Sequence, residues 1–128
     1  MRFRRRIGAA GVAVWADVRV KHAAALVVRP LSEEVEELVM RAGAEAVIVS
    51  GAGTGYPTAS RDAGAVKSSA GEAAVLIGSG VTAENLGELW PVCDGMIVGS
   101  SLKKDRDLNA GIDPQSVVSL MSAVRGMR

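Results

Sequence analysis

Four short apolar runs rich in β-branched residues recur along the chain, and each is followed by small or polar residues and then by a helical pattern. The runs span residues 12–18, 46–50, 74–77 and 95–98. Such nearly continuous hydrophobicity, without strict alternation, is typical of strands in a buried parallel sheet. The sequence therefore predicts an α/β fold of about four parallel βα units with right-handed crossovers.

The expected helices carry capping signals at several of their ends. Ser32 is the expected N-cap of the helix after the first run, and Gly43 is its expected stop. Thr82 is expected to cap a helix of about three turns after the third run. Asp113 followed by Pro114 predicts the start of the last helix, because proline is favoured at the first helical position.

Charge and composition exclude several classes of partner. Fifteen basic against fourteen acidic side chains leave a net charge of +1, and aromatic residues make up 3%. A surface that binds nucleic acid needs an excess of positive charge, and a site that stacks single-stranded bases needs aromatic side chains. With one cysteine, Cys93, and one histidine, His22, the sequence excludes an internal disulfide and argues against a tetrahedral zinc site. We expect no nucleic-acid partner, no metal and no cofactor.

The start of the chain bears on localisation. It is basic, like the beginning of a signal peptide, but Gly8 and Gly11 break the apolar stretch that follows, and no clear cleavage site precedes Asp17. No stretch reaches the roughly 20 uninterrupted apolar residues that span a bilayer, so no transmembrane segment is expected. The sequence predicts a cytoplasmic protein.

Two glycine- and serine-containing turns follow the last two predicted strands. They consist of Gly78, Ser79 and Gly80 in the first turn and of Gly99, Ser100 and Ser101 in the second. Glycine lets an anion approach the backbone closely, and amides at a helix start favour phosphate. Two such turns at short spacing are typical of the phosphate-binding end of a (β/α)8 barrel. The alternative is that both are tight βα turns in which glycine serves geometry alone.

The length of the chain limits how much of such a barrel it can form. A (β/α)8 barrel needs about 200 residues or more, whereas this chain has 128. Four parallel strands cannot close a barrel, so both edge strands are expected to stay open. We expect residues 1–128 to form a single domain that corresponds to half of a barrel.

A third glycine cluster follows the second run and includes Gly51, Thr54 and Gly55. It matches neither the dinucleotide-binding fingerprint nor a P-loop, since no Lys-Ser/Thr pair follows it. Thr54 is a candidate donor to a ligand. The alternative is a loop without a binding role.

Three residues near the end of the first run are candidate acid–base groups. Asp17 could orient a substrate hydroxyl or act as a base, Lys21 could neutralise an anion, and His22 is the side chain whose ordinary pKa lies nearest neutrality. The alternatives are a salt bridge between Asp17 and Lys21, and an imidazole that takes no part in chemistry.

Several segments, in order along the chain, resemble the BtpA family, which includes SgcQ-like proteins. They are Ala16-Asp17-Val18 with Lys21-His22, Ala46-Val47-Ile48-Val49-Ser50-Gly51 with Thr54-Gly55-Tyr56-Pro57, Val75-Leu76-Ile77-Gly78-Ser79-Gly80-Val81-Thr82 with Glu84-Asn85, Asp94-Gly95-Met96-Ile97-Val98-Gly99-Ser100 with Lys103-Lys104-Asp105, and Asp113-Pro114. The resemblance implies a TIM-barrel fold related to phosphate-binding barrels. Family members are about twice as long, as a complete barrel requires, so this chain corresponds to a truncated C-terminal half.

The resemblance also bears on function. It implies a link to photosystem I accumulation for members from phototrophs, while other members look like nucleosidases or sugar-pathway proteins. Our leading hypothesis is a half-barrel that binds a sugar phosphate or nucleotide-like metabolite at the two turns. If a second copy or a complementing half closed the barrel, Asp17, Lys21 and His22 would be its acid–base candidates. The alternatives are a non-catalytic photosystem I assembly factor and a fragment without independent function.

Overall fold

The computed structural model describes residues 2–19, 26–51 and 60–127. Its centre is a four-stranded parallel sheet made of β1 (Trp15–Asp17), β2 (Ala46–Val49), β3 (Ala74–Ile77) and β4 (Gly95–Met96). The strands lie side by side in chain order, β1-β2-β3-β4. This is the order in which strands follow one another around a barrel, whereas a doubly wound sheet reverses direction at its switch point. The predicted fold class of parallel βα repeats is confirmed.

Helices alternate with these strands. They are α1 (Arg2–Arg6), α2 (Leu31–Glu36) with a π-helical continuation over Glu37–Arg41, α3 (Ser60–Ser69), α4 (Leu86–Leu89) and α5 (Pro114–Gly126). Single 3₁₀ turns occupy Trp90–Val92, Ser100–Leu102 and Lys104–Arg106. None of the helices in the described ranges is both long and apolar enough to cross a membrane.

The start of α2 differs from the prediction. The helix begins at Leu31, so Ser32 lies in its first turn, and no side chain caps it. Pro30 precedes the helix with φ −54° and ψ 137°. Since proline already holds φ near the helical value, the helix starts directly after it. The expected N-cap at Ser32 is therefore wrong.

The expected signals at two other helix ends agree with the structure. Gly43 has φ +63° and follows Ala42, the C-cap of the π-helical segment, in the αL conformation in which glycine commonly ends a helix. The Asp113 carboxylate accepts hydrogen bonds from the amides of Gln115 (3.2 Å) and Ser116 (3.1 Å), which caps α5. Both signals are local, which explains why they can be predicted from sequence.

The core lies between one face of the sheet and the helices. Val47, Val75 and Ile77 are fully buried there. They belong to two apolar clusters that also contain helix residues, among them Val35 of α2, Val66 of α3, Leu86 of α4 and Leu120 of α5. Because all four strands are parallel, the turns after β2, β3 and β4 lie at one edge of the sheet, the carboxyl edge.

Candidate functional site

Gly78, the first residue after β3, is packed so tightly that only glycine fits. A Cβ atom added there would lie 2.6 Å from both Ile48 Cγ2 and Ser50 Oγ. The Gly78 amide donates to the Val49 carbonyl at 2.7 Å, which continues the pairing of β3 with β2. Gly78 therefore sets the path of the turn, and its own amide is already used within the sheet.

Asn85 holds the rest of the β3 turn. Its Nδ2 donates to the Gly80 carbonyl at 2.8 Å, and its Oδ1 accepts from the Thr82 amide at 2.8 Å. The Asn85 amide in turn donates to Thr82 Oγ1 at 3.4 Å. Gly80 itself has φ +71°, a conformation that glycine adopts at little cost. The turn is thus clamped by one side chain that reaches both of its ends.

The same clamp explains why the helix after β3 differs from the prediction. Residues 83–85 form turns, so α4 contains only the four residues Leu86–Leu89 before the 3₁₀ turn at Trp90–Val92. Pro91 contributes to this early end because proline cannot donate an i→i−4 hydrogen bond. The expected helix of about three turns starting at Thr82 is wrong.

The turn after β4 lies directly against the turn after β3. Ser101 Oγ donates to the Val81 carbonyl at 2.6 Å, which joins the two turns. The Leu102 amide donates to the Gly99 carbonyl at 3.0 Å and closes the short 3₁₀ turn over Ser100–Leu102. The Ser101 hydroxyl hydrogen is used in this contact, so Ser101 acts here as a link between the turns.

Several amides at the two turns have no acceptor within the described ranges. They are those of Gly80 and Val81 in the first turn and of Gly99, Ser100 and Ser101 in the second. Gly80, Ser100 and Ser101 are half-buried, and Gly99 is exposed with open space around its Cα. Backbone amides without a protein partner favour an anion when they face a common space.

The turn after β2 is joined to the same edge. The amide of the buried Gly51 donates to Ser79 Oγ at 3.1 Å. The Gly51 amide is therefore used inside the protein rather than presented to a ligand. Thr54 and Gly55, the other predicted ligand-binding residues of this cluster, lie outside the described residues.

Asp17 lies exposed at the carboxyl end of β1. The next charged residue, Arg19, pairs with Glu34 of α2 at 3.2 Å and also donates to the Arg29 carbonyl at 2.9 Å. The hydrogen bond to Glu34 raises the pKa of Arg19, and the Arg19 backbone has the unusual φ of +99°. Lys21 and His22 lie outside the described residues, so the predicted salt bridge between Asp17 and Lys21 stays a prediction.

A polar cavity of about 330 Å³ lies beside the two turns. Its lining includes Thr82, Glu84, Ser101, Arg106 and Asp113. A hydrogen bond from the Thr82 side chain lowers the pKa of Glu84, and the nearby charge of Arg106 adds to this shift. Glu84 therefore brings a negative charge close to the turns, while Arg106 brings a positive one.

Lys103 also lines this cavity, but its ammonium group points to the chain itself. Lys103 Nζ donates to the Ala110 carbonyl at 2.9 Å. The positive charge of Lys103 therefore lies near the turns, and its hydrogen bond to Ala110 holds the loop over residues 103–110 in place. Within the described ranges, no group of three His, Cys, Asp or Glu side chains is arranged to hold a metal ion.

Two residues that shape this edge, Asn85 and Ser50, belong to the family-like segments but are not predicted from the sequence to have a structural role. Asn85 carries a detectable signal, because Thr82 and Asn85 have the three-residue spacing of a reciprocal capping pair. Ser50 carries none, since its position against Gly78 depends on the register of β2 and β3.

Comparison with known proteins places the chain in a family. The model of the BtpA family matches residues 1–126. The photosystem I biogenesis protein BtpA of Synechocystis sp. is 37% identical over 124 residues, which cover 97% of this chain and 43% of that protein. A protein of Thermococcus kodakarensis is 33% identical over 117 residues, covering 91% of this chain and 44% of its own length.

A solved structure described as "Native KDPGal structure" has the same fold. It matches with a TM-score of 0.59 and 23% identity over 96% of this chain and 52% of its own chain. The chain spans less than half the length of the two relatives above. The parallel βα repeats are thus those of part of a larger barrel, and the chain belongs to the BtpA family.

Proposed function

We propose that the carboxyl edge formed by the turns after β3 and β4 binds the phosphate group of a small phosphorylated metabolite, either a sugar phosphate or a nucleotide-like compound. The anion would lie between Gly80 and Val81 on one side and Gly99 and Ser100 on the other. Ser79 and Gly78 would shape the first turn, and Ser101 would hold the second turn against it.

The observation that carries this proposal is the 2.6 Å hydrogen bond from Ser101 Oγ to the Val81 carbonyl. It joins the two turns, and the amides of Gly80, Val81, Gly99 and Ser100 in these turns have no acceptor in the described part of the chain. A buried or half-buried amide without a partner loses free energy, and an anionic oxygen restores the missing hydrogen bond.

The position of the turns in the fold supports the same proposal. In (β/α)8 barrels, a phosphate site is frequently formed by the loops after the last two strands together with the N-terminus of a short extra helix. The turns after β3 and β4, with the 3₁₀ turn over Ser100–Leu102, have the same relation to the last two strands of this chain. The fold alone supports no reaction, because one fold carries many chemistries.

Calorimetric titration of the chain with inorganic phosphate, ribose 5-phosphate and nucleotides tests the proposal. We expect binding of the phosphorylated compounds and a loss of affinity of about tenfold or more in Gly80→Asp, because its carboxylate repels the anion and crowds the amides. Gly71→Asp is the matched control. Gly71 also has a positive φ (+58°) but lies in the turn before β3, at the opposite edge of the sheet.

Two results would count against a phosphate site at this edge. One is the absence of heat with every phosphorylated compound while the chain is folded by circular dichroism. The other is an equal loss of affinity in Gly80→Asp and Gly71→Asp, which would show that backbone strain rather than local charge changes binding.

For a closed barrel, we propose Asp17, Lys21 and His22 as acid–base groups, because residues at the carboxyl ends of strands form the active face of such barrels. Gly51, Thr54 and Gly55 would border the same face. The location that we propose for this activity is the cytoplasm.

A second candidate function is photosystem I biogenesis without catalysis, which the 37% identity to the Synechocystis protein of that name favours. Expression of the chain in Synechocystis cells that lack their own BtpA protein would test it, with photosystem I content as the readout. Restored content that survives the combined change of Asp17, Lys21 and His22 to alanine supports this function. Restored content that is lost with the three changes favours a chemical role instead.

A further inference from the structure

The turn after β3 contains two consecutive peptide groups whose polar atoms are not equally bonded. The first group joins Gly80 to Val81, and the second joins Val81 to Thr82. In the second, the Val81 carbonyl accepts from Ser101 Oγ at 2.6 Å. The amide of that group, which belongs to Thr82, donates to Asn85 Oδ1 at 2.8 Å. In the first, the Gly80 carbonyl accepts from Asn85 Nδ2 at 2.8 Å, whereas the Val81 amide has no acceptor within the described ranges.

The Val81 amide belongs to a buried residue. Val81 is only 2% exposed and packs in the apolar cluster that contains Ile77 and Leu86. Nearly all buried backbone amides in folded proteins have an acceptor, and an unpaired one loses free energy. Gly80, on the other side of the same peptide group, is half-buried and has no side chain that would cover it. An oxygen atom of a ligand is the acceptor that this amide lacks.

The planarity of the peptide bond links the direction of this amide to Asn85. In a trans peptide group, the C=O and N–H bonds lie in one plane and point in opposite directions. No peptide bond in the described ranges is cis. Because Asn85 binds the Gly80 carbonyl, the N–H of Val81 points away from Asn85, to the other side of the turn.

Gly80 does not fix this direction by itself. Its φ of +71° lies in the left-handed region, which glycine populates about as readily as the region of negative φ. A peptide group next to glycine therefore turns over at little cost when nothing holds its carbonyl. After such a turn, the Gly80 carbonyl oxygen would take the place of the Val81 N–H and would repel an anion.

We propose that Asn85 is the positioning residue of the anion site, because its side-chain amide holds the peptide group between Gly80 and Val81 so that the Val81 N–H donates to a phosphate oxygen. This inference rests on the phosphate site proposed above and assigns the donor that depends on Asn85. The role requires an amide side chain, since one group must donate to the Gly80 carbonyl while the other accepts from the Thr82 amide.

Two substitutions of Asn85 separate positioning from stability. In Asn85→Asp, the carboxylate still accepts from the Thr82 amide, but it repels the Gly80 carbonyl. The peptide group then turns over, and the Val81 amide donates to the second carboxylate oxygen instead of a ligand. Asn85→Ala removes both side-chain bonds and leaves the peptide group free in either orientation. Urea denaturation should therefore rank Asn85→Asp as more stable than Asn85→Ala.

The affinity for inorganic phosphate should rank the two variants in the opposite order. By calorimetry, we expect Asn85→Ala to lose about two- to threefold, because only a fraction of its molecules present the Val81 amide. Asn85→Asp should lose more than about tenfold, because its own carboxylate occupies this amide. Circular dichroism shows whether each variant is folded, and Asn85→Asp decides the case by itself if Asn85→Ala is unfolded.

The added charge of Asn85→Asp needs its own control. Gly87→Asp introduces the same charge two residues further along, at an exposed position where a Cβ atom would meet only Met127 Cε at 3.7 Å. Any loss of phosphate affinity in Gly87→Asp should vanish in about 0.3 M salt, which screens exposed charges, whereas the loss in Asn85→Asp should persist. In ¹H–¹⁵N NMR spectra, phosphate should shift the Val81 amide proton downfield in the unchanged chain and leave it in place in Asn85→Asp.

Different results would overturn the positioning role and the phosphate site. Unchanged phosphate affinity in Asn85→Asp, a loss that salt abolishes, or the same ranking of the variants in stability and affinity would refute the role of Asn85 and leave the site standing. Phosphate binding that shifts the amides of Gly99 and Ser100 but not that of Val81 would do the same. Absence of phosphate binding by the folded, unchanged chain would remove the site and the role together.

Discussion

The amino edge and the carboxyl edge of the sheet differ in how their backbone amides are satisfied. At the amino edge, the Glu45 carboxylate accepts from the Val14 amide at 2.6 Å, next to the start of β1. In the same way, the Asp94 carboxylate accepts from the Val75 amide in β3 at 2.8 Å. At the carboxyl edge, the two turns instead present amides without acceptors in the described ranges.

A positive charge accompanies each carboxylate at the amino edge. Arg4 lies 3.2 Å from Glu45, and Lys67 lies 2.5 Å from Asp94. At both amino-edge sites, an oppositely charged side chain therefore compensates the carboxylate that accepts from the strand amide. This difference supports the proposal that the carboxyl edge binds a ligand, because the active sites of (β/α)8 barrels lie at that edge, whereas residues at the amino edge serve stability.

The largest expected effect is that of Gly78→Ala at the carboxyl edge. The new methyl group would lie 2.6 Å from Ile48 and Ser50, and such overpacking costs about 2–3 kcal/mol in the free energy of unfolding. Urea denaturation measures it. Gly99→Ala is the control, because a Cβ atom there meets nothing within 4 Å and its φ is −131°. Equal effects of the two substitutions would show that the tight contact at Gly78 is absent in solution.

A smaller effect is expected for Asp94→Asn at the amino edge. The substitution keeps an acceptor for the Val75 amide but removes the ion pair with Lys67. Because both side chains of this pair are about 40% exposed, solvent screening limits the loss in the free energy of unfolding to about 1 kcal/mol. Asp94→Ala removes both contacts and should lower the free energy of unfolding by more than Asp94→Asn does. Phosphate affinity should be unchanged in both variants, because Asp94 lies at the opposite edge from the turns.

The same pair makes stability depend on pH. The hydrogen bond from Lys67, followed by that from the Val75 amide, lowers the pKa of Asp94 in the folded protein. The stabilisation is therefore fully present above the unfolded pKa of about 3.9 and is lost as the pH falls through the lower folded value. The difference between the native chain and Asp94→Asn should be constant from about pH 5 to 8 and shrink below about pH 4. A difference that grows on acidification would contradict the ion pair.

The smallest expected effect is that of Glu84→Gln, beside the two turns that we propose as the phosphate site. Its carboxylate, whose pKa is lowered by the Thr82 side chain, opposes a second negative charge nearby. Removing this charge should tighten phosphate binding by about twofold at low salt, and the gain should disappear as salt screens the exposed charge. Glu88→Gln on α4 is the control. A weaker affinity in Glu84→Gln would show that Glu84 supports the site rather than opposing the anion.

Local signals predicted part of this structure well. The apolar runs located all four strands, and Asp113 with Pro114 located the start of α5, because strand hydrophobicity and helix capping depend on neighbouring residues. The strands came out shorter than the runs. Residues 12–14 carry strand-like side chains but lie outside β1, since the Val14 amide is taken by Glu45 rather than by a neighbouring strand.

Other features depend on contacts that are distant in sequence. Ser101 reaches Val81 across 20 positions, and Gly51 reaches Ser79 across 28. No spacing rule indicates these pairs, because they arise only when the parallel strands align in register. The short α4 could not be predicted from the expected cap at Thr82. The Asn85 side chain binds the Thr82 amide and the Gly80 carbonyl, and these contacts hold a turn where the first helical turn was expected.

The amino-acid sequence by itself determined the succession of strands and helices, the family and the location of the glycine turns, because these follow from hydrophobicity, backbone freedom and residues close along the chain. Only the tertiary structure decided which amides are already satisfied and which face of the sheet packs against the helices. Hydrogen-bond partners and burial are properties of surfaces that meet in space, and the register of the sheet determines which surfaces meet.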